Sequence, residues 1–278
     1  MKIDFIVNNY LLIWNLLYSP SISIKMHAFK QKLWLTYKKE YKLIEKDKDE
    51  ILTDIKNFIP DDNTMYSKIE GTLLFERLMA DAMKHRLELL KIWDTNKKEV
   101  NNYLKDILKT SVDKYNVIVL PPYMDSCLTS DNCTNFGWGK KQDLNDKLDT
   151  LCNIIYTIIY NNFNKYEDEI DEKIVKACLE LMLRNELYTK INKKSNKLDG
   201  NKEIKEIKKQ IYPYFLMYMG IDLENMSEYM MRDNQPFDIE KYTNEIQLRN
   251  LNYIEFIEFI IRNKKLILKI KKIGLEII

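Results

Sequence analysis

Two residues of one predicted helix have the types and the spacing of a general base and its orienting carboxylate. Asp81 and His85 lie four residues apart, so both occupy the same face of a helix. A carboxylate beside an imidazole can orient the ring for acid–base catalysis. The same spacing also fits an ordinary pair on a charged helix face. We treat Asp81 and His85 as catalytic candidates, with the ordinary pair as the alternative.

A second group of candidates lies in the only segment whose pattern does not indicate helix, residues 117–139. Its short β-type run ends at Pro121 and Pro122, and a polar loop then leads to a Gly-Trp-Gly sequence at 137–139. Loops held by a rigid scaffold often carry sites. The alternative to a site is that the two glycines only form a tight turn before the next helix. The catalytic candidates of this loop are Asp125, Cys127 and Cys133, and the ligand-binding candidates are Tyr123 and Trp138.

The sequence predicts no metal site and no cofactor. The chain has two histidines, His27 and His85, which are far apart in sequence. Cys127 and Cys133 are six residues apart without a nearby histidine, which is not a zinc-ligand spacing. The six glycines are too scattered to form a glycine-rich phosphate loop. We expect free thiols, as in a reducing compartment.

The order of elements over residues 115–190 resembles the core of gluzincin-type zinc metallopeptidases. A strand, a Gly-containing edge segment, a buried helix and a following helix occur in the same order. In that family the buried helix carries His-Glu-x-x-His, and a later helix supplies a glutamate ligand. Here the first motif falls on the sequence Asn-Ile-Ile-Tyr-Thr at 153–157, and Glu186 is the later glutamate. Because the zinc ligands are absent, the resemblance implies a degenerate, non-peptidase member, with Glu186 as a ligand-binding candidate.

The elements that must position these residues are mostly helices. Hydrophobic periodicity predicts a mainly α, formally α+β, multi-helix fold with a small two- or three-stranded β element near residues 115–140. We expect a helical domain over 1–192 that includes the β element. A C-terminal helical region over 202–278 is expected to pack on it as one globular unit. Helices are predicted at 5–18, 21–44, 51–59, 71–93, 97–112, 144–163, 202–219, 222–232, 238–248 and 253–273, and from the acidic residues 167–172 to about Ile191.

Composition excludes several classes of function. The 44 basic residues nearly balance the 42 acidic residues, which gives no electrostatic case for general nucleic-acid binding. The apolar segment 5–18 is too short to cross a bilayer, so a soluble, cytoplasmic protein is expected. A basic C-terminal helix is a candidate for an anionic membrane surface, although basic residues also suit a helix end. Its basic residues are Arg262, Lys264, Lys265, Lys269, Lys271 and Lys272.

These patterns favour a cytoplasmic, non-enzymatic binding or regulatory protein that acts through helical surfaces, with a protein as its partner. The chain contains 18 tyrosines and 12 methionines, types that are common at interaction surfaces and in cores. The alternative is a hydrolase-type enzyme, or a degenerate metallopeptidase relative, with its pocket at the Pro121–Gly139 loop. No motif in the sequence specifies a reaction or a ligand.

Overall fold

The computed structural model describes residues 1–19, 24–61, 63–110, 114–124, 129–130, 133–136, 147–163, 166–192, 202–221 and 248–268. The chain divides into two compact units, Met1–Thr95 with Val112–Lys147 and Asn96–Ser111 with Leu148–Ile278. These units group the residues differently from the predicted regions 1–192 and 202–278. The segment 193–201 between those regions lies outside the described residues.

The first unit combines helices with a small sheet. The strand order is β1-β2-β4-β3, in which β1, β2 and β4 are parallel and β3 is antiparallel to β4. The prediction of a mainly α fold with a small β element is confirmed. In chain order the elements are β1 (Lys2–Ile6), α1 (Asn9–Tyr18), α2 (Ile24–Thr36), α3 (Lys38–Thr53), α4 (Asn63–Glu70), the first part of α5 (Leu73–Asp106), β2 (Lys114–Val119), β3 (Thr129–Ser130) and β4 (Cys133–Phe136).

The N-terminal strand was not predicted. Ile3 and Phe5 are buried in β1, and Phe5 pairs with Val117 of β2, so the predicted helix 5–18 is wrong at its start. Helix α1 begins only after Asn8, whose side chain accepts a hydrogen bond from the Leu11 amide at 2.9 Å. The alternation of buried and partly exposed residues in β1 fits a strand with one face in the core.

Several predicted helix boundaries are also wrong. The predicted helix 21–44 is interrupted at Tyr37, and α3 then continues through the charged stretch to end at Thr53. No helix occupies 54–59, and the predicted helices 71–93 and 97–112 are one continuous helix, α5. A charged stretch can continue a helix when one face still reaches the core, as Ile44 and Ile51 of α3 do.

The core of the first unit lies among these helices and β2. Buried side chains from α1, α3, α4, α5 and β2 form one cluster. Two of its members, Ile118 and Leu120, come from the β-type run that the sequence analysis singled out. Its main contributors are Leu11, Leu12, Leu16, Ile44, Ile51, Tyr66, Ile69, Phe75, Leu78, Ile118 and Leu120. The parallel strands therefore have a fixed position against α5.

The secondary-structure elements among the described residues of the second unit are all helices. Helix α9 (Lys205–Tyr218) continues through Pro213, while the predicted long helix 253–273 ends at Arg262. The predicted helix 222–232 and residues 238–247 of the predicted helix 238–248 lie outside the described residues, and Leu248 begins a 3-10 turn. In chain order the elements are the last part of α5, α6 (Lys147–Asn161), α7 (Glu169–Leu179), a π-helical segment (Glu180–Glu186), α8 (Leu187–Asn192), α9 (Lys205–Tyr218), α10 (Tyr253–Arg262) and α11 (Lys264–Ile267), with short 3-10 turns at Lys202–Ile204 and Leu248–Asn250.

A buried ion pair lies against the π-helical segment. The ammonium of Lys208 on α9 is 2.9 Å from Oε2 of Glu180, and both side chains are buried. Arg184 lies 3.7 Å from the other oxygen of Glu180 and 3.5 Å from Asp149 on α6. The phenol of Tyr103 donates a hydrogen bond of 2.7 Å to the Met182 carbonyl in the same segment. These polar contacts connect α5, α6 and α9 to the π-helical segment.

Candidate functional site

The structure brings three of the predicted site residues to the same end of the sheet. Helix α5 places Asp81 and His85 beside the segment that follows β2. The carboxylate of Asp81 accepts a hydrogen bond of 2.8 Å from the Tyr123 hydroxyl. Burial, assisted by this hydrogen bond, raises the pKa of Tyr123 above its usual range. Ligands commonly bind at the carboxyl ends of parallel strands. Here Asp81 and His85 instead form hydrogen bonds with the turn at 120–124.

His85 is buried and bonded to the backbone. Its Nδ1 lies 2.9 Å from the Leu120 carbonyl oxygen, which can only accept, so Nδ1 donates and carries the hydrogen. Burial lowers the pKa of His85, although the bond to Leu120 and the charge of Glu88 oppose that shift. The imidazole is therefore held neutral and in one tautomer. The Leu120 carbonyl orients the ring, and the Asp81 carboxylate contacts Tyr123.

Arg86, which the sequence analysis missed, makes the equivalent contact to the neighbouring strand. Its Nε donates a hydrogen bond of 2.7 Å to the carbonyl of Phe5 in β1. Adjacent residues of α5, His85 and Arg86, therefore bind the carboxyl ends of adjacent parallel strands. No sequence signal could indicate this contact, because it depends on β1, which the pattern at 5–18 did not reveal.

The buried neutral imidazole predicts a specific loss of stability in mild acid. The folded pKa of His85 is lowered, so its contribution to stability is present above the ordinary histidine pKa of about 6.5 and decreases as the pH falls below it. The slope for one proton is at most about 1.4 kcal/mol per pH unit. We expect the free energy of unfolding, measured by urea denaturation, to fall less between about pH 7 and about pH 5 in His85→Gln than in the natural protein.

The matched control for this experiment is the exposed histidine of α2. His27→Gln should show the same loss of stability between the two pH values as the natural protein, because the side chain of His27 is exposed. Identical pH dependence of the natural protein and His85→Gln would contradict the assignment of a buried, neutral His85.

The remaining loop candidates have no described side chains. Asp125, Cys127 and Trp138 lie outside the described residues. Cys133 begins β4, where its backbone pairs with Asn116 of β2. In the second unit, Cys152 and Cys178 are buried free thiols.

The positions that carry the metallopeptidase resemblance lie in the second unit. At the first motif, Ile154 is buried in the place of the catalytic glutamate, and the Thr157 hydroxyl donates a hydrogen bond of 2.9 Å to the Asn153 carbonyl. Burial raises the pKa of Glu186, which Lys190 opposes. Among the described residues, no group of three or more His, Cys, Asp or Glu side chains could hold a metal ion. The relationship to that family stays a prediction.

The side of α5 that faces away from the core carries an exposed apolar stripe. Leu73 is 72% exposed, Leu87 is 61% exposed and Met83 is 42% exposed. With the exposed Ala80, they fall within roughly a quarter of the helix circumference at about 3.6 residues per turn. We call Leu73, Ala80, Met83 and Leu87 the α5 stripe. Leu87 is exposed although Leu78 of the same helix is buried.

A row of cations lies along one edge of the α5 stripe. Arg77, Lys84 and Lys91 are exposed and recur every seven residues, so they stay on one side of the helix. Within the described part of the chain, the side chains of these three residues make no hydrogen bond and no ion pair. Glu88 lies beyond this row, farther from the stripe, whereas the exposed Glu76 lies within the quarter of the circumference that the stripe occupies. The α5 stripe therefore combines exposed apolar surface with cations that are available to a partner.

The basic C-terminal candidates are largely used inside the second unit or lie outside the described residues. Lys264 is 2.8 Å from Asp168 and 2.7 Å from Asp171 at the start of α7, and these bonds raise its pKa. Arg262 is 3.3 Å from Glu258 on the same helix. Lys265 is exposed. The candidates outside the described residues are Lys269, Lys271 and Lys272.

Comparisons with known proteins supply no relative. No protein-family model matches the chain, and searches of curated proteins and of solved structures find no match. No helix in the described ranges is both long enough and apolar enough to cross a membrane. The site must therefore be interpreted from its own chemistry.

Proposed function

We propose that this chain is a non-enzymatic binding protein that docks an amphipathic helix of another protein on the α5 stripe. The observation that carries the proposal is the exposure of Leu73, Met83 and Leu87 on the side of α5 opposite its buried residues. A helix that is apolar on two opposite sides has one side for its own core and one for a second packing partner. Helix-in-groove recognition uses apolar anchors at such spacings.

Charge determines the kind of helix that fits. The row of Arg77, Lys84 and Lys91 borders the stripe on one side, so a partner with acidic residues along the matching edge would be attracted and correctly oriented. A basic partner helix would place like charges side by side. The preferred partner is therefore an amphipathic helix with leucine-type anchors and an acidic edge.

A charge-exchange titration tests this proposal. The acidic probe is a synthetic amphipathic helical peptide with leucine anchors and one row of glutamates, and the basic probe has lysines in place of those glutamates. The natural protein should bind the acidic probe more tightly than the basic probe. The double variant Arg77→Glu/Lys84→Glu should reverse that preference. The double variant Leu73→Ser/Leu87→Ser should weaken the binding of both probes by at least about tenfold. Full burial of one leucine side chain contributes about 1.5–3 kcal/mol.

Lys42→Glu/Lys46→Glu is the matched control, because it makes the same charge change at exposed positions of another helix, α3, outside the stripe and its row of cations. This variant should keep the preference for the acidic probe. Equal binding of the two probes by the natural protein, or a preference that Arg77→Glu/Lys84→Glu leaves unchanged, would contradict the proposal.

A further inference from the structure

Helix α2 lies in a part of the sequence that contains no acidic residue. Between Asp4 and Glu40 the chain has five lysines and no aspartate or glutamate: Lys25, Lys30, Lys32, Lys38 and Lys39. The whole chain has a net charge of only +2, so this segment is a local concentration of positive charge. Lys30 is partly buried and bonds the Ser19 carbonyl, whereas Lys25 and Lys32 are exposed. Those two lysines are free to meet an anionic surface.

The same helix exposes large apolar side chains. Ile24 is 89% exposed and Leu35 is 75% exposed, and both lie on one face because eleven residues make about three turns. Ala28 is exposed between them. The buried residues of α2 are Met26 and Leu33. A helix that packs on a core usually carries polar residues on its solvent side, so an exposed isoleucine and leucine beside lysines are unusual there.

An aromatic residue lies beside this exposed face. Trp34 is partly exposed, packs edge-on against Tyr41 at 5.1 Å between ring centroids, and has the ammonium of Lys38 5.7 Å from its ring. Tryptophan is enriched where an apolar phase meets water, because its ring is apolar and its indole N–H is polar. Apolar residues, lysines and a tryptophan on one helix are the composition of a helix that lies in a membrane interface.

We propose that α2 is a peripheral docking helix for an anionic lipid surface, with Ile24 and Leu35 entering the headgroup boundary and Lys25 and Lys32 contacting acidic headgroups. The proposal does not depend on the α5 stripe. Lipid is favoured over nucleic acid because phosphates would engage the lysines but offer no apolar partner to Ile24 and Leu35. Lipid also requires no shaped groove, which suits two aliphatic side chains that are separated by small and polar residues.

Vesicle co-sedimentation of the full chain tests the proposal. The chain should associate with phosphatidylcholine vesicles that contain phosphatidylserine, more weakly at high salt, and much less with phosphatidylcholine alone. Lys25→Gln/Lys32→Gln should weaken association by roughly fivefold per lysine, about 25-fold for the pair. Ile24→Ser/Leu35→Ser should weaken it by at least roughly tenfold. Both variants should keep the natural melting temperature, because all four side chains are exposed.

The control pair is Lys98→Gln/Lys105→Gln, which removes the same charge from α5 and should leave vesicle association unchanged. Absence of association with acidic vesicles, or equal weakening by the control pair, overturns the proposal. A third outcome would also overturn it and assign α2 to nucleic acid. In that outcome the chain binds a single-stranded oligonucleotide, Lys25→Gln/Lys32→Gln abolishes that binding, and Ile24→Ser/Leu35→Ser leaves it intact.

Discussion

Glu180→Leu should lower the free energy of unfolding by about 3–5 kcal/mol, the usual effect of removing one partner from a buried ion pair. Glu180 and Lys208 are both buried, and their charged atoms are 2.9 Å apart. The substitution removes the carboxylate but leaves the ammonium of Lys208 inside the second unit. Arg184 also loses its contact to Glu180. Urea denaturation followed by circular dichroism measures the change.

The double variant Glu180→Leu/Lys208→Met distinguishes the buried charge from simple loss of packing. Replacing both members of a buried ion pair by apolar residues of similar size is often neutral. We therefore expect the second substitution to restore most of the stability that Glu180→Leu removes. A loss below about 1 kcal/mol in the single variant is typical of a solvated pair and would contradict the buried pair.

The second large effect compares two leucines of the same helix. Leu78→Ala should cost about 2–5 kcal/mol, because Leu78 is buried in the core of the first unit. Leu87→Ala should change stability by less than about 0.5 kcal/mol, because Leu87 is 61% exposed. Both substitutions change a leucine of α5 to alanine, so the difference in helix propensity between leucine and alanine cancels when the two variants are compared. Equal losses for both variants would show that the α5 stripe is part of the core.

Local patterns were sufficient to predict much of this fold. The β-type run at 117–120 ends at two prolines and supplies the last three residues of β2, a strand that its composition predicted. The apolar residues of α6, such as Leu151, Ile155 and Ile158, are buried, in agreement with the helix that hydrophobic periodicity predicted over 144–163. The acidic start of the next helix is confirmed too, since Asp168 caps α7 and accepts a hydrogen bond from the Asp171 amide.

The failures share one cause, which is dependence on residues far away in sequence. Phe5 belongs to a strand only because β2, more than a hundred residues later, supplies its partner. Periodicity places Leu78 and Leu87 on leucine-rich helix faces but cannot reveal which face meets the core. The ion pair between Glu180 and Lys208 joins two helices separated by the segment 193–201. Each of these features requires the tertiary arrangement.

The candidate site was predicted only in its parts. Sequence spacing placed Asp81 and His85 on one helix, and the structure connects each of them to the turn after β2. The binding surface proposed for α5 was not predicted, because exposed leucines look the same as buried ones in a sequence. The seven-residue spacing of Arg77, Lys84 and Lys91 is visible in the sequence. Only the structure shows that these residues lie beside an exposed apolar stripe.

Methyl NMR of the methionine side chains tests the central claim, that the α5 stripe is a docking surface, most directly. Met83 lies in the stripe, whereas Met65 and Met182 are buried and serve as internal references. Adding the acidic probe should shift the Met83 methyl signal and leave those of Met65 and Met182 in place. The shift should disappear in Leu73→Ser/Leu87→Ser. An unchanged Met83 signal at probe concentrations that saturate binding would contradict the account.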